Sequence, residues 1–320
     1  MLLIINILIL CIVLFLYIHI YYHIKTSNYL EIYEIENPSK EKFEDLINLK
    51  QPLLLNNCTL LNNVDYNYLV SNYPTFDLNM YNNENDLFLK IKLEDYNLLI
   101  TKDISENFLS YNNKEFLEET TIDKILRNND SFFRPYNVCN MNYDILIASK
   151  NTNTQLKYSI NSRNILYVSN GSIEVTLCPP KDYKNLHVKK NYELLEFYSA
   201  IDIYNVKTIY KSDYNKVKFL RVTIDNNKVL IIPPYWFYSI KFLEENTIVF
   251  YNTYRTFTSS IAIIPELFMQ LLQQQNIKLN ISKQITSEEN NKKENNNGEN
   301  NNEENNNGEN NNEENNKKEK

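Results

Sequence analysis

Asn227-Lys228-Val229-Leu230-Ile231-Ile232-Pro233-Pro234-Tyr235-Trp236-Phe237-Tyr238 is the stretch whose reading decides the fold. Its four consecutive apolar residues, Val229 to Ile232, read as a buried strand. Pro233 and Pro234 end that strand, because proline lacks the amide proton that a sheet ladder needs. The only tryptophan of the chain follows at once, with two of the nine prolines beside it.

Upstream, Asn164 to Pro180 places two β-rich arms, Asn164–Val168 and Ile173–Leu177, around Asn170-Gly171. Asn-Gly is the preferred pair of a two-residue type I′ turn, which predicts a hairpin ending in Pro179-Pro180. Two of the three glycines, Gly298 and Gly308, lie near the C-terminus. Gly171 is therefore the one body position where a left-handed backbone is free of steric cost. Strand signals recur at Ile145–Ile147, Val217–Ile224 and Thr247–Tyr251, and short strands separated by turns predict a sandwich or barrel.

Ahead of these strands the patterns are mixed. Phe43, Leu46, Ile47 and Leu49 predict a short helix, and Pro52–Leu55 a strand. Phe88–Leu93 and Asn97–Ile100 read as a strand pair, and Phe116–Leu126 as one helix. Beyond the strands, Pro265 opens a helix over Glu266–Gln275, with Leu267, Phe268, Leu271 and Leu272 on its apolar face.

Residues 1–24 contain no Lys, Arg, Asp or Glu. About twenty apolar residues cross a bilayer core, and no small-residue cleavage site follows, so a permanent single-pass anchor is expected. Tyr17, Tyr21 and Tyr22 suit the aromatic belt at its end. Lys25, Lys40 and Lys42 follow the span with no basic residue before it, which predicts a cytoplasmic body. The expected organisation is an anchor at 1–24, a juxtamembrane linker at 25–40, a globular body at 41–283 and a tail at 284–320. Within the tail, Asn295–Glu304 repeats unchanged as Asn305–Glu314. With no apolar residues to offset ordering entropy, this tail is expected to be disordered.

Composition narrows the function. The formal charge is −7 and no broad basic surface is indicated, so nucleic acid is not an expected partner. Cys58, Cys139 and Cys178 are scattered, with no Cys-x-x-Cys pair, and read as free thiols of a reducing compartment. A phosphate-cradling glycine loop cannot be built with one body glycine.

The two quoted segments resemble those of the cupin-like JmjC family. Asn164, Gly171, Pro179 and Pro180 fall at that family's spacing, as do Ile232, Pro233 and Trp236. Gln51–Leu55 is similar to the family's opening strand. The resemblance implies a double-stranded β-helix, the cupin jelly roll, mainly β with flanking helices. It also implies an Fe(II) site of two histidines and one carboxylate that leaves room for 2-oxoglutarate and oxygen. The corresponding positions here are Tyr158, Ile160 and Tyr238, and Ile173 stands where the family commonly has a basic residue. Isoleucine cannot ligate a metal, and a neutral tyrosine is a poor Fe(II) ligand. Outside the apolar N-terminus the only histidine is His187, and one histidine cannot supply a two-histidine site.

The resemblance therefore implies a catalytically degenerate, membrane-anchored binding or scaffolding module with no cofactor. Tyr158 and Tyr238 are expected to fill the former metal cavity. Asn164, Gly171, Pro233, Pro234 and Trp236 are expected to be fold and pocket residues. Two alternatives stay open: an Fe(II) and 2-oxoglutarate hydroxylase or demethylase with unusual ligands, and a purely structural membrane protein. The Glu266–Gln275 helix is a candidate surface for a protein partner or a second copy of the chain. His187 with Asp182 or Glu193 suits a hydrolytic or metal site, Cys178 a nucleophile, and Tyr204, Tyr210 and Tyr214 a stacking surface, but each pattern is met more simply by ordinary surface or core residues.

Overall fold

The chain begins with α1 (Leu2–Ile24), a helix of 23 residues that is long and apolar enough to cross a membrane. Then come β1 (Tyr33–Glu36), α2 (Lys40–Ile47), β2 (Leu53–Asn56), α3 (Tyr66–Asn72), β3 (Asp77–Asn82), β4 (Leu87–Lys92), α4 (Leu93–Lys102), β5 (Phe108–Ser110), α5 (Lys114–Glu119) and α6 (Ile122–Asn129). The strand-rich half holds β6 (Val138–Ala148), β7 (Lys157–Tyr158), β8 (Arg163–Asn170), β9 (Ser172–Cys178), β10 (Val188–Asn191) and β11 (Glu196–Ser199). The short α7 (Lys211–Tyr214) leads to β12 (Leu220–Asp225), β13 (Val229–Ile232), β14 (Phe237–Phe242), β15 (Ile248–Thr256) and α8 (Phe257–Ala262). The computed structural model describes residues 2–58, 64–82, 87–102, 108–192 and 195–275. One unit runs from Met1 to Leu267 and a second from Phe268 to Lys320, of which 268–275 are described and helical. The repeat-bearing tail lies outside the described residues.

Two sheets face each other. The larger has the order β1-β2-β13-β8-β15-β6-β5-β3-β4 and the smaller β10-β11-β7-β14-β9-β12. Within them, β13-β8-β15-β6 and β7-β14-β9-β12 are the two four-stranded halves of a jelly roll, with successive strands alternating between the sheets except at β9 and β12, which pair with each other in the smaller one. This is the mainly-β, double-stranded β-helix with flanking helices that the sequence implied. Both faces of the large sheet are buried. Val229, Ile231, Ile165 and Tyr167 look outward onto a core closed by Phe43, Phe116, Phe133 and other helix residues. Leu230, Ile232, Leu166 and Val168 look inward, against Val175, Leu177 and Ile240 of the small sheet. A third cluster lies on the outer face of the small sheet.

Several local expectations are corrected. Asn97–Ile100 is not a strand but part of α4, where Glu94 and Asp95 suit the first turn. Leu93, Tyr96 and Ile100 bury one helical face while Leu98 and Leu99 stay exposed. The single helix expected over Phe116–Leu126 is two, broken at Thr120 and Thr121. Thr120 Oγ1 donates to the Phe116 carbonyl, and Thr121 has φ +59°. The 25–40 stretch is more than a linker, since β1 pairs in parallel with β2.

The Asn170-Gly171 turn is the most informative correction. β8 and β9 do not pair with each other: β8 bonds β13 and β15, whereas β9 bonds β12 and β14. The turn is a corner between sheets and not a two-residue hairpin. Gly171 has φ +82°, and a Cβ there would meet Thr247 Oγ1 at 2.2 Å. Thr247 is fully buried, so it has no room to retreat. Gly171→Ala is expected to lower stability by about 2–4 kcal/mol, combining left-handed strain with overpacking, measured as a shift in the urea midpoint.

Candidate functional site

Strand register decides which side chains enter the barrel. Tyr238 lies opposite Leu177 on β9 and opposite Lys157 on β7. Residues directly opposite each other share a face, so Lys157 points inward with Tyr238, which is fully buried in the inter-sheet core. Tyr158 lies opposite Phe237 and Phe197 and points the other way. With Ile160 it belongs to the outer cluster, where its ring stacks on Phe197 at 5.1 Å and meets Phe237 edge-on at 4.9 Å. Tyr158 and Tyr238 therefore do not fill one cavity, contrary to expectation. The β7 side chain facing Tyr238 is Lys157.

Around Lys157 a polar site is built at the barrel mouth. Its ammonium donates to Glu196 Oε1 at 2.7 Å and lies 5.5 Å from the Tyr111 ring centroid. Burial works against the ammonium charge, but the Glu196 carboxylate outweighs it and holds the Lys157 pKa above the ordinary lysine value. Glu196 comes from β11, whose Tyr198 lies opposite Lys157. Lys157, Glu196, Tyr198, Tyr111, Asp202 and Lys207 line a cavity of about 530 Å³. That is the size and setting of a small-ligand pocket in a jelly-roll mouth.

Beside this cavity Tyr238 hydrogen-bonds Tyr251, and their ring centroids are 5.7 Å apart. Burial raises the pKa of both phenols, so both stay neutral at physiological pH. The Tyr251 hydroxyl donates to Asn164 Oδ1 at 3.2 Å, and Asn164 Nδ2 donates to the Ile232 carbonyl at 3.0 Å. Asn164 thus ties the quoted strand to the site. Across the sheet from Tyr251 sits Asp144, which accepts from the backbone N–H groups of Asn112, Asn113 and Ile145 at 2.7–2.9 Å. Burial outweighs these donors and pushes its carboxyl up to about 6.

Pro233 and Pro234 are buried at the end of β13, and Tyr235 turns the chain with φ +67°. Trp236 is fully buried, and its indole Nε1 donates to the Lys50 carbonyl at 3.2 Å. The motif therefore clamps the strand end to the loop after α2 and aims Tyr238 into the barrel.

A two-histidine, one-carboxylate iron does not fit these residues. The inward face opposite Tyr238 carries a cation, Ile160 points out of the barrel, and the two phenols are neutral. Among the described residues, no group of three or more His, Cys, Asp or Glu side chains is placed to hold a metal ion. The other candidate residues are dispersed. His187 Nε2 bonds Asp213 at 2.9 Å on the surface, while Asp182 contacts Cys178 at 3.7 Å. Glu193 lies outside the described residues. Burial, then Asp182, raises the Cys178 thiol well above its ordinary value, the reverse of nucleophile activation. Tyr204 reaches Ser239, Tyr210 faces His187, and Tyr214 packs on Phe219, so the three form no shared platform.

Lys157, Glu196 and Asp144 are the residues that reading the sequence missed. Lys157 adjoins Tyr158 and was one alternation step from notice. Glu196 carries no motif, because a separate strand brings it in. Comparison with known proteins agrees with the geometry: the model of the cupin-like domain matches residues 108–260. That span runs from β5 into α8 and contains all eight jelly-roll strands. No curated protein matches the chain.

Asp144 generates a test. Its folded pKa lies above its ordinary 3.8, so the folded state holds an extra proton between about pH 4 and 6. Stability is expected to rise as pH falls through that window, by roughly 2–3 kcal/mol for this group. Asp144→Asn is expected to flatten that rise in denaturation curves measured from pH 7 to 4.

Proposed function

We propose that the chain, whose residues 108–260 match the cupin-like domain, is a membrane-tethered cupin-like binding module that does not catalyse oxygenation. The observation that carries this reading is Lys157. A lysine stands on the inward face opposite Tyr238; its ammonium has no lone pair for a metal, and it engages the Glu196 carboxylate beside it in an ion pair. The mouth supplies instead two cations, two carboxylates and tyrosine faces around one cavity, a lining suited to a small polar ligand bearing both charges.

The anchor is α1, and the body lies in the cytoplasm, following the lysines after the span and the free state of Cys58, Cys139 and Cys178. The 264–275 helix carries exposed Phe268, Leu271 and Leu272. It is the surface through which the module would meet a protein partner or a second copy.

Two experiments test this reading. Anaerobic titration of the full chain with Fe(II), then 2-oxoglutarate, is expected to leave no stoichiometric iron and no thermal stabilisation. One iron per chain, lost in Tyr238→Phe, would establish an oxygenase with new ligands. The sequons at Asn57 and Asn129 are expected to stay unmodified when the chain is made with microsomes. Glycan addition there would place the body in the lumen.

A further inference from the structure

The last two turns of α1 are packed against the body. Tyr22 and His23 form one wall of a second cavity, of about 420 Å³, whose other walls include Lys50, Ser162, Arg163 and Thr258. Its charges are unevenly matched. Arg163 is charge-paired: its guanidinium donates to both Glu44 carboxylate oxygens and to the Phe133 carbonyl. Glu44 is also bound by Lys40, at 2.8 Å. Lys50 is only 6% exposed. Its ammonium lies 4.8 Å from the Tyr22 ring centroid, and no carboxylate pairs with it among the described ion pairs. Burial, then Arg163 and Lys25, pushes its pKa down to about 8. A buried cation without a counter-ion is costly.

His23 adds a second, independent observation. It is 4% exposed, and its ring meets the backbone at Ile160. Its Nε2 is buried with no hydrogen-bond partner. The cavity thus presents a lysine that lies over the Tyr22 ring with no carboxylate in its ion-pair range among the described residues, and a buried imidazole nitrogen with no hydrogen-bond partner. The hydroxyls of Ser162 and Thr258 stand on the same walls. A singly protonated phosphomonoester completes this set, accepting from Lys50 and donating its own O–H to His23 Nε2.

The place selects the source. The cavity lies at the end of the apolar helix, and in a bilayer that end sits at headgroup depth. We infer that this cavity binds the phosphate of an anionic phospholipid, held by Lys50 and His23 at the junction of anchor and body. The inference rests on α1 being a membrane anchor.

The test uses the full chain in phosphatidylcholine nanodiscs with and without phosphatidic acid, and native mass spectrometry of the released protein. Incorporation into pure phosphatidylcholine tests the anchor alone, so failure at that step overturns the anchor reading. With incorporation established, phosphatidic acid is expected to be retained about tenfold over phosphatidylcholine, the effect of one charge-assisted hydrogen bond. Lys50→Asn, whose side chain tolerates the φ of +58° at this position, is expected to lose that preference, and Lys50→Arg to keep it. Lys190→Gln, on an exposed strand position, is the control for bulk charge. Emission from Trp236, bonded to the Lys50 carbonyl, reports whether each variant is folded. Equal retention of both lipids, or an unchanged preference in folded Lys50→Asn, would overturn the inference. Displacement of the lipid by inorganic phosphate would assign the site to free phosphate and overturn the lipid source.

Discussion

Burial on both faces of the large sheet is the constraint on which the structure depends. Strand side chains alternate with period two, so a slip of one residue would exchange the helix-covered core for the inter-sheet core. Val229 and Ile231 pack under the helices while Leu230 and Ile232 pack inside the barrel. The apolar run quoted at the outset satisfies either register, so something else must fix it. Three contacts do so: Asn164 bonding the Ile232 carbonyl, Trp236 bonding the Lys50 carbonyl, and Gly171 against Thr247. Each is a polar or steric match that a one-residue shift would break.

Much of the fold was legible because its signals are local. The run of apolar residues before Pro233-Pro234, the single body glycine and the recurring short strands all act within a few residues. The site was less legible because it is assembled by pairing. Motif spacing put Tyr158 and Ile160 at the centre, yet the register turns both outward and brings in Lys157. Glu196 arrives from a strand outside any motif, and Asp144 from the first strand of the roll. The Asn-Gly corner shows the same limit: the dipeptide signals its left-handed backbone correctly, but only tertiary packing decides whether its arms pair with each other or part between sheets.

Electrostatics sorts the interior into satisfied and unsatisfied groups. Lys157 is matched by Glu196, and Arg163 by Glu44, each within 2.7 Å. Such pairs offset the desolvation of their partners and leave little net attraction for an added ion. Asp144 is different, since its backbone donors do not fully offset its burial, and it stands close to titrating under mild acid. The barrel thus gathers its ion-paired groups at its mouth, while the inward face of β14 carries the neutral Tyr238 phenol.

The parallel pairing of β1 with β2 has a mechanical consequence. β1 follows the apolar helix α1 after only a short segment and is hydrogen-bonded along Tyr33–Glu36 to the strand Leu53–Asn56, which is itself paired to β13. Tension applied through α1 along β1 loads these bonds in shear, all together, instead of peeling them one at a time. Were α1 held in a bilayer as proposed, bending or thinning of that bilayer would pull on the same sheet that keeps the barrel in register.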